Sequence, residues 1–147
     1  MQKKIVVREA VQEDYSSLTR LAWQLGHQAE SSQISTRLLD LLQRDDHKVL
    51  VAQVDGEIAG WVHAFLNRPL HKDTVVDIAG LVVDENHRKM GIGRRLLEAV
   101  EDWAKNQGCE QVTLSSNITR EGAHKFYQNI GYQRAKTQYT FMKELLK

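Results

Sequence analysis

Apolar residues alternate with polar ones in some stretches of the chain and recur every three or four residues in others, and each change of period marks a change of element. Ile5-Val6-Val7-Arg8 reads as a first strand. Asp14 stands where it would cap a helix carrying Tyr15, Leu18, Leu21, Ala22 and Leu25 on one face, and Gly26 ends it. After a polar link from Gln28 to Ser32, Ser35 or Thr36 begins a second helix through Leu38, Leu39, Leu41 and Leu42. Lys48–Val54 and Glu57–Phe65 read as strands joined by Asp55-Gly56, a strong hairpin signal. The loop Asn67–Asp73 leads to a strand from Thr74 to Val83, so evenly apolar that it should be central and covered on both faces.

Gly91 to Gln107 has helical period, with Ile92, Leu96, Val100 and Trp103 as its stripe and Gly108 as the C-terminal cap. Gln111–Ser115 is a strand parallel to the previous one if the helix makes the usual right-handed crossover. A last helix spans Arg120 to Asn129, and Tyr132–Ala135 with Tyr139–Met142 read as a closing hairpin. The order predicts an α/β chain with a mixed sheet, a central parallel βαβ unit and about four helices in one domain, 1–147.

Composition narrows the class. Hydrophobic residues at 41% and charged residues at 27% describe a globular chain rather than a disordered one. The net charge of +1 lacks the basic excess that a nucleic-acid partner requires. No apolar run approaches the ~20 residues of a membrane span, and Arg8 and Glu9 interrupt the start before a signal peptide could form. A lone cysteine, Cys109, permits no internal disulfide and fits a reducing cytoplasm, where it should be a small core residue. His27, His47, His63, His71, His87 and His124 show no metal-ligand spacing, so no metal is expected.

The most informative stretch runs from Asp77 to Leu97, where the apolar strand stops at a polar loop that opens through Gly91 and Gly93 into a helix. A helix start exposes peptide N–H groups without internal partners and carries the positive end of the macrodipole, so it can hold a pyrophosphate. A dinucleotide fingerprint would need a further glycine where Leu96 stands. The spacing Arg88-x-x-Gly91-x-Gly93 resembles the acyl-CoA loop of the GNAT superfamily of N-acyltransferases. A second block, Asn117, Ala123, Phe126-Tyr127 and Gly131-Tyr132, agrees with that family in order and distance. Glu85 departs from it where many members have proline, and Lys89 where many have the loop's first glycine.

The resemblance implies a single-domain GNAT-like fold with a mostly antiparallel sheet, and acetyl-CoA as co-substrate. Backbone groups of Leu81, Val82 and Val83 would hold the pantetheine arm as an added strand, and Arg88, Lys89, Met90, Gly91, Ile92, Gly93 and Arg94 would form the phosphate cradle. Asp77 occupies the place of a glutamate base in several members, and its shorter side chain would work through a water to deprotonate the amine. Asp77 could equally pair with a neighbouring cation or cap an irregular strand. Tyr127 matches the usual general acid, which protonates the departing thiolate, against the reading of a core aromatic; Asn117 is a hydrogen-bonding residue of the site or of an ordinary turn. His63, alternating with Trp61 and Phe65, could line the acceptor pocket or act as a second base.

These readings describe an N-acetyltransferase that moves an acetyl group directly to a primary amine in a ternary complex, with a small polar amine or amino sugar as acceptor between residues 23–33 and 66–73. The rival is a non-catalytic acyl-CoA-binding regulatory module. The closing hairpin offers an edge through which two copies could form a homodimer.

Overall fold

The sheet is built in chain order, β1 (Ile5–Glu9), β2 (His47–Val54), β3 (Glu57–Asn67), β4 (Val75–Val83) and β5 (Val112–Leu114), as seen in a computed structural model that describes residues 4–146. The first three pairs are antiparallel, and β4 and β5 run parallel. Helix α3 (Ile92–Asn106) makes the crossover between those two. At the β2–β3 turn, Asp55 and Gly56 both take positive φ, +52° and +84°, as a two-residue hairpin of this hand requires.

Strand alternation sends one set of side chains to each face. Leu50, Ala52, Val54, Val62, Ala64, Leu66 and Val76 pack under Ile92, Leu96, Val100 and Ala104 of α3. Val49, Val51, Ile58 and Val82 pack under Leu18, Leu21 and Leu38 of α1 (Tyr15–Gln24) and α2 (Ser31–Leu42). Leu96 is wholly buried, and removing a side chain of that size from water contributes about 2 kcal/mol. Gly60 lets α3 sit so close, because a Cβ there would lie 2.9 Å from Ile92 Cγ2 and 3.0 Å from the Val82 carbonyl oxygen.

Several boundaries differ from expectation for local reasons. Helix α2 starts at Ser31 and so absorbs part of the link read as polar, because Gln33 Oε1 accepts from the Glu30 N–H at 2.9 Å and satisfies an end donor. Asp14 does precede α1, but its carboxylate accepts from the Val11 N–H (2.8 Å) and from Arg8 (2.8 and 3.0 Å) instead of capping the helix. Burial would raise the Asp14 carboxyl, yet the Arg8 and Val11 donors hold it below its ordinary value. Short 3-10 turns at Gln12–Asp14 and Glu85–His87 carry no hydrophobic period and were not visible.

The described residues fall into two compact units, one ending at Leu114 and the other beginning at Ser115. The second holds α4 (Glu121–Asn129), which ends with Gly131 at φ +100° and the Tyr132 N–H bonded to the Tyr127 carbonyl at 2.9 Å. The expected hairpin Tyr132–Ala135 with Tyr139–Met142 is not formed: residues 132–146 contain no strand. Tyr132 is engaged in closing the helix, and Gln133, Arg134, Lys136 and Thr137 offer neither apolar alternation nor a glycine turn.

Candidate active site

Strand β5 pairs only with Val76, Asp77 and Ile78 of β4. Beyond that point, among the described residues, no strand bonds the second edge of β4, so the backbone from Ala79 to Val83 is open on that side. The opening coincides with a bulge: His63 pairs with Gly80 and Ala64 with Ile78, which leaves Ala79 as an extra residue in β4. Bulges bend a strand and unpair its backbone, and they concentrate beside active sites. Val82 is buried beneath the open edge, while Leu81 and Val83 are half-buried toward α3.

The open edge runs directly into residues 84–91 and from there into α3. Lys89 takes φ +65° and Gly91 φ +82°. The left-handed conformation usually reserved for glycine is therefore held by a lysine at the position where the sequence departs from the family pattern, at about 1 kcal/mol or more. Gly91 is the N-cap residue, and the first-turn amides of Ile92, Gly93 and Arg94 have no acceptor within the helix. Ile92 and Gly93 are buried, Met90 packs on the α3 core, and Arg94 is exposed with Glu98 at 3.4 Å. Peptide donors are thus free at a strand edge and again at a helix start, with bonded amides at 84–87 between them, two places that could hold a flexible amide-bearing arm and an anion.

Asp84 anchors the base of this loop. Its buried carboxylate accepts from Gln24 Nε2 (3.1 Å), the Asn86 N–H (3.2 Å) and His87 Nδ1 (3.0 Å), with Arg20 at 3.9 Å. Burial works to raise its pKa, and the Asn86, Gln24 and His87 donors outweigh it and keep the group below its ordinary value. Gln24 Oε1 also accepts from the Glu85 N–H at 2.9 Å. The Asp-x-x-His spacing at residues 84–87 could have signalled the turn, but nothing in the sequence pointed to Gln24.

Asp77 is half-buried in β4 directly opposite Phe65, so the two share a face. On the same face of β3 stands His63, whose Nε2 lies 2.9 Å from His47 Nδ1, one of the two nitrogens carrying the shared proton. Phe65 stacks on His47 at 5.5 Å. Burial, and then the His47 charge, push the His63 pKa down to about 4. This paired histidine was not predicted, since it needs residues sixteen positions apart brought together by the β2–β3 register.

Asn117 and Tyr127 lie in the second unit. Asn117 Oδ1 accepts from the Thr119 N–H (3.0 Å) and hydroxyl (2.9 Å), closing a turn ahead of α4. The Tyr127 ring meets Phe126 and Tyr132 edge-on at 5.3 and 6.2 Å. Burial raises its phenol above the ordinary value, opposed by the Arg120 charge. Cavities of about 410 and 470 Å³, lined in part by Arg44 and His47 and by Arg8 and Arg20, do not touch residues 88–94. Among the described residues, no group of His, Cys, Asp and Glu is arranged to hold a metal ion, and no helix is long and apolar enough to cross a membrane.

Known proteins resemble this chain in sequence and in fold. The chain is 31% identical over 140 residues to the aminoalkylphosphonate N-acetyltransferase of Salmonella typhimurium, covering 91% of this chain and 88% of that one. It is 24% identical over 144 residues to an aminoglycoside N(6')-acetyltransferase type 1 of Acinetobacter genomosp. 13, covering 95% and 96%. Aminoglycoside N-acetyltransferase AAC(6')-Iy, solved with CoA, superimposes with a TM-score of 0.87 over 97% of each chain at 20% identity, which speaks for the fold. The acetyltransferase (GNAT) family model matches residues 8–132. This chain therefore belongs to the GNAT family and is an acetyl-CoA-dependent N-acetyltransferase.

Proposed function

We propose that the acceptor is a small polar amine or amino sugar, acetylated by direct attack within a ternary complex of enzyme, acetyl-CoA and amine. The observation that carries the reading is the open backbone of residues 79–83 at the edge of β4 and of residues 92–94 at the start of α3, with the amides of 84–87 between them held inside the protein. Leu81, Val82 and Val83 hold the pantetheine arm through main-chain groups, as an added strand would be held. Lys89, Met90, Gly91, Ile92 and Gly93 present their peptide groups to the pyrophosphate, with Arg88 and Arg94 on the outlying phosphates. The thioester then lies where β4 leaves β5, beside the Asp77 face. The named substrates of the two relatives, an aminoalkylphosphonate and an aminoglycoside, support a polar amine.

An alkylammonium has a pKa near ~10.4 and must lose a proton before it can attack. Asp77 takes that proton through a water and attracts the cation beforehand. His63 is neutral at physiological pH and so adds no charge that would repel it. The neutral amine nitrogen bonds the carbonyl carbon, the carbon–sulfur bond breaks, and the thiolate receives a proton from Tyr127, kept protonated by burial; the second proton that nitrogen sheds as the amide forms passes through water to restore the phenol. Asn117 acts beside it as a hydrogen-bonding residue. The family match spans both compact units, which we read as one catalytic domain. Exposed Tyr139, Phe141, Met142, Leu145 and Leu146 form an apolar tail suited to pairing with a second copy. A reducing cytoplasm suits the lone, buried Cys109.

Thiol release from acetyl-CoA against a panel of amines tests the reading. Tyr127→Phe should lose about 100-fold in turnover, the low end for general acids because a thiol is more acidic than a phenol, and Asp77→Asn a similar factor. Unchanged turnover in Tyr127→Phe, with chemistry limiting, would remove the general acid. Tight CoA binding without thiol release for any amine would favour the regulatory module instead.

A further inference from the structure

The last two residues of α1 each hold a different loop. Trp23 Nε1–H donates to the Ala29 carbonyl at 2.8 Å and so fixes the link between α1 and α2. Gln24 turns the other way, with Nε2 donating to Asp84 Oδ1 at 3.1 Å and Oε1 accepting from the Glu85 N–H at 2.9 Å. Gln24 is half-buried and its amide uses a donor and an acceptor at once, so it cannot move without breaking a bond to the buried Asp84 carboxylate and one to the exposed Glu85 N–H. Asp84 in turn holds the Asn86 N–H and His87, the residue immediately before Arg88. A chain of hydrogen bonds therefore runs from the 25–30 link, through the end of a ten-residue helix, to the mouth of the 88–94 cradle.

We propose that Gln24 is a positioning residue that couples the α1–α2 link to the acyl-CoA loop, so that seating the cofactor at residues 84–94 orders residues 25–30. The inference rests on the reading that this loop holds acyl-CoA. Coupling of binding is reciprocal, so an acceptor amine that settles against the link tightens acyl-CoA by the same factor. The loop alone cannot do this, because residues 84–87 have their own turn bonds whether or not α1 is attached.

The test uses the full chain with CoA as the probe, comparing wild type with Gln24→Met, which keeps the length and helix preference of the side chain, and Gln24→Glu, which keeps the acceptor for Glu85 but loses the donor to Asp84. Calorimetry should show CoA bound about tenfold more weakly by Gln24→Met, as expected for two lost hydrogen bonds. Hydrogen exchange supplies a readout that general loosening would not reproduce. In wild type, CoA should slow exchange at residues 25–30 as well as 84–94, whereas in Gln24→Met and Gln24→Glu only 84–94 should slow. Equal CoA affinity in wild type and Gln24→Met, slowing at 25–30 that survives both substitutions, or no slowing there in wild type would each overturn the coupling. Failure of wild type to bind CoA would overturn the assignment of the loop itself, and the coupling with it.

Discussion

His63 should make the stability of this protein fall on mild acidification. Its side chain is largely buried on β3, in contact with His47 and Phe65, and its pKa is about 4 against an ordinary 6.5. In the window between these values the unfolded chain binds a proton that the folded chain refuses, so stability rises with pH across it. The contribution is complete above the unfolded value and is lost as the pH falls toward the folded one. A gap of that size corresponds to about 3 kcal/mol in all, of which about 2 kcal/mol is gone by about pH 5. Asp14 and Asp84 are held below the ordinary carboxyl value of 3.8, so their contribution is lost only at lower pH and lies outside the window. Urea unfolding at about pH 7.5 and about pH 5, on wild type and His63→Gln, isolates the effect: wild type should lose about 2 kcal/mol more than the variant between the two conditions. Equal losses in both proteins would refute the burial argument, whatever the variant's stability at the higher pH.

Gly60→Ala should cost about 1–3 kcal/mol, since its Cβ would meet Ile92 Cγ2 at 2.9 Å and the Val82 backbone oxygen at 3.0 Å, and the latter cannot rotate away. The shift would lift the start of α3, so CoA affinity should fall along with the melting temperature; a drop in one alone would contradict the packing described. Phe141→Asp and Leu145→Asp should leave turnover per chain intact but shift the protein from dimer to monomer in sedimentation velocity. A monomeric wild type would rule out the tail as a pairing element.

What the sequence reveals and what it conceals divides along the range of the interactions. Hydrophobic period exposed β2, β3, β4 and α3 because their core faces repeat locally, and Gly91 marked the opening of α3 because a left-handed residue before a helix is a local backbone feature. The parallel strand read at Gln111–Ser115 is present as Val112–Leu114, but its shortness and the Ala79 bulge were hidden, since both depend on how strands register against partners far along the chain. His47–His63 and Gln24–Asp84 were hidden for the same reason, being contacts across sixteen and sixty positions. The tail from Tyr132 shows the opposite error: its aromatic residues read as a hairpin, but Tyr132 closes α4 and the residues after it offer neither apolar alternation nor a glycine turn.

The central claim, that peptide groups from β4 into α3 hold acetyl-CoA, is tested most directly by following backbone amide resonances during titration with CoA. The account predicts that Leu81, Val83 and residues 89–94 shift most, saturating together with one dissociation constant. Saturable binding that leaves those amides unmoved while shifts gather elsewhere would contradict it.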